Sequence, residues 1–344
     1  MEEKQRERVR RLKEGDPENG SYLLYWMQAS ARAEDNHALE FAIHLANREE
    51  LPLLVAFGLT DDFPEANLRH YAFMIQGLRE TGATLRERGI PFLAVAGYPA
   101  AVAAYLAQGA AALVLDRGYL RVQRRWREAL LRRIERPVYQ VKSEVVVPVE
   151  LASEKEEYTA ATLRPKINRH LRRFLKPVPT VELRRKELPT EVPELPAVYE
   201  TEGIRYKLEQ IDLESLVDPA AIAQRFPRLD GSVSPVDEIT GGTSVAKGRL
   251  EAFLSHGLDE YDEARNDPAR EGASGLSAYL HFGQISPVYI ALRAQEVGGA
   301  GLGAFLEELI VRRELSMNFC NYNDEYDSYD ALPERERKTL SEHL

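Results

Sequence analysis

Residues 21–59, SYLLYWMQASARAEDNHALEFAIHLANREELPLLVAFGL, decide the fold of the first half of the chain. Two apolar runs, SYLLYWM and LPLLVAFGL, flank residues 36–47, in which apolar side chains recur with the spacing of a helix. Buried parallel strands are nearly continuous apolar runs, and a helical connection usually joins one such strand to the next. The stretch therefore predicts a strand–helix–strand unit.

The same alternation continues to about residue 150. Further strand-like runs are IPFLAVAG, AALVLDRG and VYQVKS, and further helical patterns cover Asn67 to Arg88, the residues after Pro99, and Leu120 to Glu135. We therefore predict a Rossmann-like α/β domain over residues 21–150, with a parallel sheet covered on both faces. No G-x-G-x-x-G motif follows the first strand, which disfavours a dinucleotide-dependent dehydrogenase.

The second half has a different pattern. Residues 178–198, VPTVELRRKELPTEVPELPAV, are rich in proline and charge and predict an extended connector, within an interdomain linker over residues 151–240. Strand signals vanish after Gly241. Helical patterns follow at Thr243 to Gly257, Leu276 to Phe282, Pro287 to Val297 and Leu302 to Asn321. We predict an all-α domain over residues 241–344.

Bulk composition excludes several classes of protein. The net charge is −10, so binding to nucleic acid needs a local basic surface. The single cysteine, Cys320, cannot form an internal disulfide or a Cys-rich zinc site, and we expect no metal. The first 20 residues are charged throughout and predict a solvated helix, and no apolar run is long enough to span a bilayer. We expect a monomeric, cytoplasmic protein without membrane contact.

The first segment that suggests chemistry lies at residues 261–286, YDEARNDPAREGASGLSAYLHFGQIS. Within it, Ala273 to Ser277 offer two hydroxyls, a glycine and free backbone N–H groups at the start of a helix. Such groups bind anions such as phosphate. The alternative interpretation is that Ser274 only caps the helix, since serine is a preferred N-cap residue.

The second segment is FLEELIVRRELSMNF, residues 305–319. Glu308 and Arg312 are four residues apart, and one interpretation is a surface ion pair worth about 0.3–0.5 kcal/mol. However, Leu309 and Leu315 flank Arg312 at helical spacing, so these charges lie close to the apolar stripe and need partners when desolvated. A cleft with an anionic ligand would supply those partners.

These two segments carry a family resemblance. SGLSAYLHFGQIS and EELIVRRELSMNF resemble the flavin-binding stretches of photolyases and cryptochromes. Four other segments resemble class II cyclobutane pyrimidine dimer photolyases in the same order, namely YWMQASARAEDNHAL, LRHYAFMIQGLRE, EYTAATLRPKI and NYNDEYDSYDALPE. The resemblance extends from about Ser21 to the last residue.

The resemblance implies FAD as cofactor and double-stranded DNA containing pyrimidine dimers as partner. The implied activity is light-driven repair, in which excited reduced FAD gives an electron to a dimer flipped out of the duplex. The implied contacts with the FAD diphosphate side are Tyr261, Ser274, Gly275, Leu276 and Ser277. Arg312 would lie along the flavin, Glu308 would face and stabilise the lesion, and Phe305 would form the cavity wall. Arg265 and Asn266 would border the DNA.

In relatives, the α/β domain can hold a light-harvesting antenna chromophore, and the resemblance implies one of deazaflavin type here. No spacing in this sequence specifies such a chromophore. Two arginine-rich clusters, residues 117–136 and 164–186, are candidates for the DNA-binding rim or for solvated helix faces. On a helix, Arg121, Arg125 and Arg132 would share one side.

Relatives continue through further helices beyond the position of Leu344, and these carry tryptophans that reduce the flavin. The two tryptophans of this chain, Trp26 and Trp126, lie in the α/β half. We therefore expect a fragment with partly exposed Leu309 and Leu315 that binds FAD poorly and repairs little. The alternatives are a cryptochrome-like flavin photoreceptor, an inactive photolyase fragment, and a nucleotide-binding α/β module without photochemistry.

Overall fold

A computed structural model describes residues 3–15, 20–187 and 194–343. The strands of the first half are β1 (Val9–Lys13), β2 (Tyr22–Trp26), β3 (Leu53–Leu59), β4 (Phe92–Ala96), β5 (Ala110–Asp116) and β6 (Val138–Val141). Its helices are α1 (His37–Arg48), α2 (Leu68–Glu87), α3 (Pro99–Leu106), α4 (Arg121–Arg133), α5 (Val149–Ala152) and α6 (Ala160–Phe174). A 3₁₀ turn, Glu3–Arg8, precedes β1.

The main sheet confirms the predicted α/β fold. Its strand order is β1-β6-β5-β2-β3-β4-β9, where β9 is Glu209–Gln210, and the strands from β6 to β4 are parallel. Strands β2, β3 and β5 are buried along their whole length, as expected for a sheet covered on both faces. Helices α1 and α2 cover one face, and α3 and α4 cover the other.

Both edges of the sheet are antiparallel, and the sequence pattern predicted neither of them. The helix predicted for residues 1–20 is wrong at Val9–Lys13, because these residues pair with β6 as β1. An edge strand has one solvated side, so it tolerates a charged sequence that a central strand would not. At the opposite edge, β9 pairs with β4.

The guanidinium of Arg8 is fully buried at the start of β1. It donates to the carbonyl oxygens of Lys142 (3.0 Å), Val145 (2.8 Å), Val146 (2.7 Å) and Phe174 (3.2 Å). Burial lowers its pKa to about 10. Arg8 therefore fixes the loop after β6, a role that the charged appearance of the N-terminal sequence does not indicate.

Residues 151–240 contain regular structure besides the predicted connector. A hairpin of β7 (Val198–Thr201) and β8 (Ile204–Lys207) precedes β9, and α7 (Pro219–Arg225) follows a short 3₁₀ turn. The connector predicted at residues 178–198 lies partly outside the described residues, and its described part up to residue 187 has neither helix nor strand. The predicted domain boundaries stay a prediction.

Every regular element within residues 243–343 is helical, as predicted. Its helices are α8 (Thr243–His256), α9 (Tyr261–Ala264), α10 (Ser277–His281), α11 (Pro287–Val297), α12 (Leu302–Leu306), α13 (Arg313–Tyr322) and α14 (Glu334–Glu342). A π turn, Glu307–Arg312, joins α12 to α13. The expected exposure of Leu309 is wrong, because only 6% of it is exposed, whereas Leu315 is half-buried. In the described part of the chain, no helix combines the length and apolar character needed to cross a bilayer.

Candidate active site

A cavity of about 820 Å³ lies between the carboxyl-terminal edge of the sheet and the helices of the second half. On the sheet side it is lined by residues that follow β2, β3 and β5, including Gln28, Thr60 and Tyr119. Ligands of open parallel sheets usually bind outside the carboxyl ends of the strands. The cavity is therefore placed where an α/β protein binds a ligand, and it is large enough for a cofactor.

The cavity brings together six of the ten predicted site residues. Those that line it are Tyr261, Ser274, Leu276, Ser277, Phe305 and Glu308. Those that do not line it are Gly275, Arg265, Asn266 and Arg312. Two serines of one segment and a carboxylate of another thus line the same cavity.

The two serines are available to a ligand. Helix α10 begins at Ser277, its N-cap residue is Leu276, and no side chain caps it. The structure therefore does not support the interpretation of Ser274 as a helix cap. Gly275 has a φ of +66°, and a β-carbon there would lie 3.0 Å from a guanidinium nitrogen of Arg249. Glycine thus permits the backbone turn that separates the two serines.

An aromatic group forms one wall. The rings of Tyr261 and Phe305 meet edge to face with centroids 5.4 Å apart, and Phe253 packs 4.9 Å from Phe305 and 5.6 Å from Tyr261. Such pairs contribute packing energy beyond the area that they bury. Burial and the nearby Glu308 raise the pKa of Tyr261, so its hydroxyl stays protonated.

Two adjacent carboxylates lie in the π turn between α12 and α13, and arginine side chains surround them. Glu308 Oε1 accepts a hydrogen bond from Arg265 at 2.5 Å, with 35% and 27% of the two side chains exposed. Glu307 pairs with Arg164 at 2.7 Å and lies 3.8 Å from Arg312. Arg265 is therefore close to the site through Glu308, although it does not line the cavity.

Because of the π turn, Arg313 lines the cavity in place of the predicted Arg312. The Arg312 side chain is 56% exposed, whereas that of Arg313 is 15% exposed and lines the cavity. In an α-helix, Glu308 and Arg312 would share a face. A π turn bonds residue i to i+5 and accommodates one extra residue, so Arg313 takes the position facing the cavity with Glu308.

Sequence reasoning missed Arg313 and Glu144, which both line the cavity. One available signal for Glu144 is a single acidic residue inside the apolar run SEVVVP, because a charge in such a run needs a partner. No comparable signal distinguishes Arg313 from its neighbour Arg312. The pattern also did not indicate that Trp126 of α4 would line the same cavity.

Ion pairs neutralise part of each basic cluster. In the first, Arg121 pairs with Asp327 at 2.5 Å and Arg124 pairs with Asp324 at 3.0 Å, so the predicted track beginning at Arg121 is partly neutralised. In the second, α6 exposes Arg169 and Arg172, and neither forms an ion pair with another described residue. Helix α6 also contacts the π turn through Arg164 and Glu307. Both clusters therefore keep exposed arginines that can meet a polyanion, Arg125 and Arg132 on α4 and Arg169 and Arg172 on α6.

Comparisons with known proteins agree with this geometry. The DNA photolyase family profile matches residues 23–183. The chain is 46% identical over 339 residues to a deoxyribodipyrimidine photo-lyase of Methanothermobacter thermautotrophicus, covering 98% of this chain and 70% of that protein. This chain belongs to the DNA photolyase family.

Other family members are similar over the same extent. The deoxyribodipyrimidine photo-lyase of Arabidopsis thaliana is 36% identical over 349 residues, with 98% of this chain and 67% of that protein covered. The photolyase fold is also found in two solved structures. A class III photolyase of Agrobacterium tumefaciens has a TM-score of 0.62 at 19% identity, with 94% of this chain and 65% of that chain covered. A Synechocystis cryptochrome has a TM-score of 0.64 at 14% identity, with 88% and 62% covered.

Proposed function

We propose that this photolyase family member repairs cyclobutane pyrimidine dimers in double-stranded DNA with light, using FAD held in the cavity. The observation that carries the proposal is the meeting of the Ser274 and Ser277 segment with Glu308 and Phe305 around one hollow. Relatives named deoxyribodipyrimidine photo-lyase, similar over almost the whole chain, support the same reaction.

The residues present fit a flavin dinucleotide. The cavity volume of about 820 Å³ falls in the range of ~300–1,000 Å³ found for small-molecule and cofactor sites. The hydroxyls of Ser274 and Ser277, and the guanidinium of Arg313, are the groups that a diphosphate or an anionic ring needs. Tyr261 and Phe305 supply apolar surface. Bound FAD would supply light absorption and the transferred electron.

The side chains around the cavity would position the lesion. Glu308 would hydrogen-bond the pyrimidine edge, exchanging its contact with Arg265 for one with the dimer. Phe305 and Tyr261 would exclude water, which strengthens every electrostatic interaction in the cavity. Arg169 and Arg172 of α6 would bind DNA phosphates in a salt-dependent way. Asn266 and Arg265 remain candidates for the DNA border.

The finer assignment to class II is part of this proposal, supported by the four segments quoted above for that class. A phylogenetic tree that places the chain outside the class II branch would contradict it. The proposal also includes an intracellular monomer acting on genomic DNA. A deazaflavin-type antenna chromophore would take the sheet side of the cavity, beside Gln28 and Trp126, and FAD the helical side, beside Ser274 and Ser277.

The repair experiment compares two adjacent carboxylates in protein expressed from the complete gene. Illuminated oligonucleotide carrying a thymine dimer is treated with wild type, Glu308→Gln and Glu307→Gln. We expect Glu308→Gln to slow repair at least about tenfold, because a charge-assisted hydrogen bond is lost. Glu307→Gln is the matched control, since Glu307 pairs with Arg164 and does not line the cavity.

Equal repair by wild type and Glu308→Gln would refute the role of Glu308. Absence of repair by flavin-loaded wild type, together with light-dependent binding of a partner protein, would favour the cryptochrome-like photoreceptor instead. The Synechocystis cryptochrome shares the fold, so the fold alone does not separate these two functions.

A further inference from the structure

A buried cluster of charges joins the α/β half to the helical half beside the cavity. Arg32 is fully buried, and its guanidinium donates to Glu144 Oε1 at 2.7 Å. The hydroxyl of Ser30 donates to the same oxygen at 2.7 Å. Arg313 approaches from the other side, donating to the backbone oxygen of Glu144 at 2.5 Å, with its Nη2 atom 3.8 Å from Glu144 Oε2.

Glu144 is thus one carboxylate between two guanidiniums. Among the described residues, a second carboxyl group near Arg313 belongs to Glu314. It accepts the backbone N–H groups of Val146 and Val147, and burial raises its pKa to about 7. Glu314 therefore compensates Arg313 only in part. A buried charge without full compensation is costly, so this site favours an added anion.

Arg313 has hydrogen-bonding capacity to spare. A guanidinium carries five N–H donors, and within the described residues Arg313 makes one hydrogen bond, to the oxygen of Glu144. Its side chain lines the cavity that Ser274 and Ser277 also line. The remaining donors can therefore reach a ligand in that cavity.

Arg32 fixes Glu144 relative to the ligand-binding helix. The same Nη1 atom that bonds Glu144 donates to the backbone oxygen of Gly283 at 2.8 Å, just after α10. Gly283 has a φ of +67°, and a β-carbon there would lie 1.9 Å from the backbone oxygen of Ala29. This close approach leaves little room for Glu144 to move relative to the helix that begins at Ser277.

We propose that Glu144 is a positioning residue that, held by Arg32, directs the Arg313 guanidinium at an anionic group of the cofactor in the cavity. The inference rests on the proposed function, because it takes the flavin dinucleotide as that cofactor. It assigns to the α/β half a part in cofactor binding that the predicted site residues, all on the helical half, do not include.

The test measures FAD affinity by quenching of flavin fluorescence in wild type, Glu144→Gln, Arg313→Gln and the double variant. We expect Arg313→Gln to weaken binding at least about tenfold and Glu144→Gln a few-fold. The double variant should bind like Arg313→Gln alone, because the two residues act as one unit. The matched control is Glu40→Gln, which removes a buried carboxylate paired with Arg88 at 2.8 Å and away from the cavity.

Melting temperatures of all variants separate a folding defect from a binding defect. The single variants Glu144→Asp and Arg313→Lys provide a second, milder pair of substitutions. The milder variants should retain more affinity than the glutamine variants. Unchanged affinity in Glu144→Gln, or single effects that multiply in the double variant, would overturn the positioning role while leaving FAD binding intact. If wild type binds no FAD, the proposed function and this inference fail together.

Discussion

Glu314 offers a direct test of the buried charges around the cavity. It is 2% exposed, its oxygens accept the N–H groups of Val146 and Val147, and burial raises its pKa from 4.5 to about 7. The folded protein therefore binds a proton on Glu314 that the unfolded chain releases between pH 4.5 and 7. The stability from this group is complete below pH 4.5 and is lost as the pH rises through 7.

Replacing Glu314 with glutamine keeps an acceptor for both N–H groups and removes the titration. From the two pKa values, wild type should lose about 2–3 kcal/mol of unfolding free energy relative to Glu314→Gln between pH 5 and pH 8. Urea unfolding at four pH values across this interval measures the difference. All other titrating groups are shared by the two proteins and cancel.

Glu214→Gln is the matched control, since Glu214 forms an exposed pair with Arg79. Its stability difference from wild type should stay flat over the same interval. A difference between wild type and Glu314→Gln that also stays flat, within about 0.5 kcal/mol, would show that the burial of Glu314 does not govern its protonation.

Three further outcomes are expected. Arg8→Met should destabilise the fold by about 3–5 kcal/mol in urea unfolding, since four carbonyl groups lose a buried cationic donor; a loss below ~1 kcal/mol would contradict this. Gly283→Ala should lower the melting temperature and weaken FAD binding, because the added β-carbon collides with the backbone oxygen of Ala29. An unchanged melting temperature and affinity would show that the backbone at Gly283 is not closely packed against Ala29. Arg121→Ala should speed proteolysis within residues 323–330 by removing the pair with Asp327, and the cleavage rate of wild type is the reference.

The sheet and the helical second half could be predicted because local patterns report them. The runs at β2 and β3 are apolar along their length, and β5 is apolar up to Asp116 at its end. The ends of α11 coincide with the predicted ends at Pro287 and Val297. The edge strands could not be predicted in this way. Their pairing depends on a distant partner, and the charged sequence of β1 is as compatible with a helix as with an edge.

The site was predictable only in part. Family resemblance pointed to Ser274, Ser277 and Glu308, and the structure places all three around one cavity. It also pointed to Arg312, whose side chain faces outward. The roles of these residues stay predictions until flavin binding and repair are measured.

By itself, the sequence determined the order of the central strands and of the helices between them, because burial and periodicity are visible in neighbouring residues. Tertiary structure alone decided which arginine faces the cavity and which carboxylate lies beside that arginine. Arg313 faces inward because a π turn adds one residue to the helix, and Glu144 reaches it from 169 residues away in the chain. Both facts depend on how separate segments pack, and no local pattern records the partners of a buried charge.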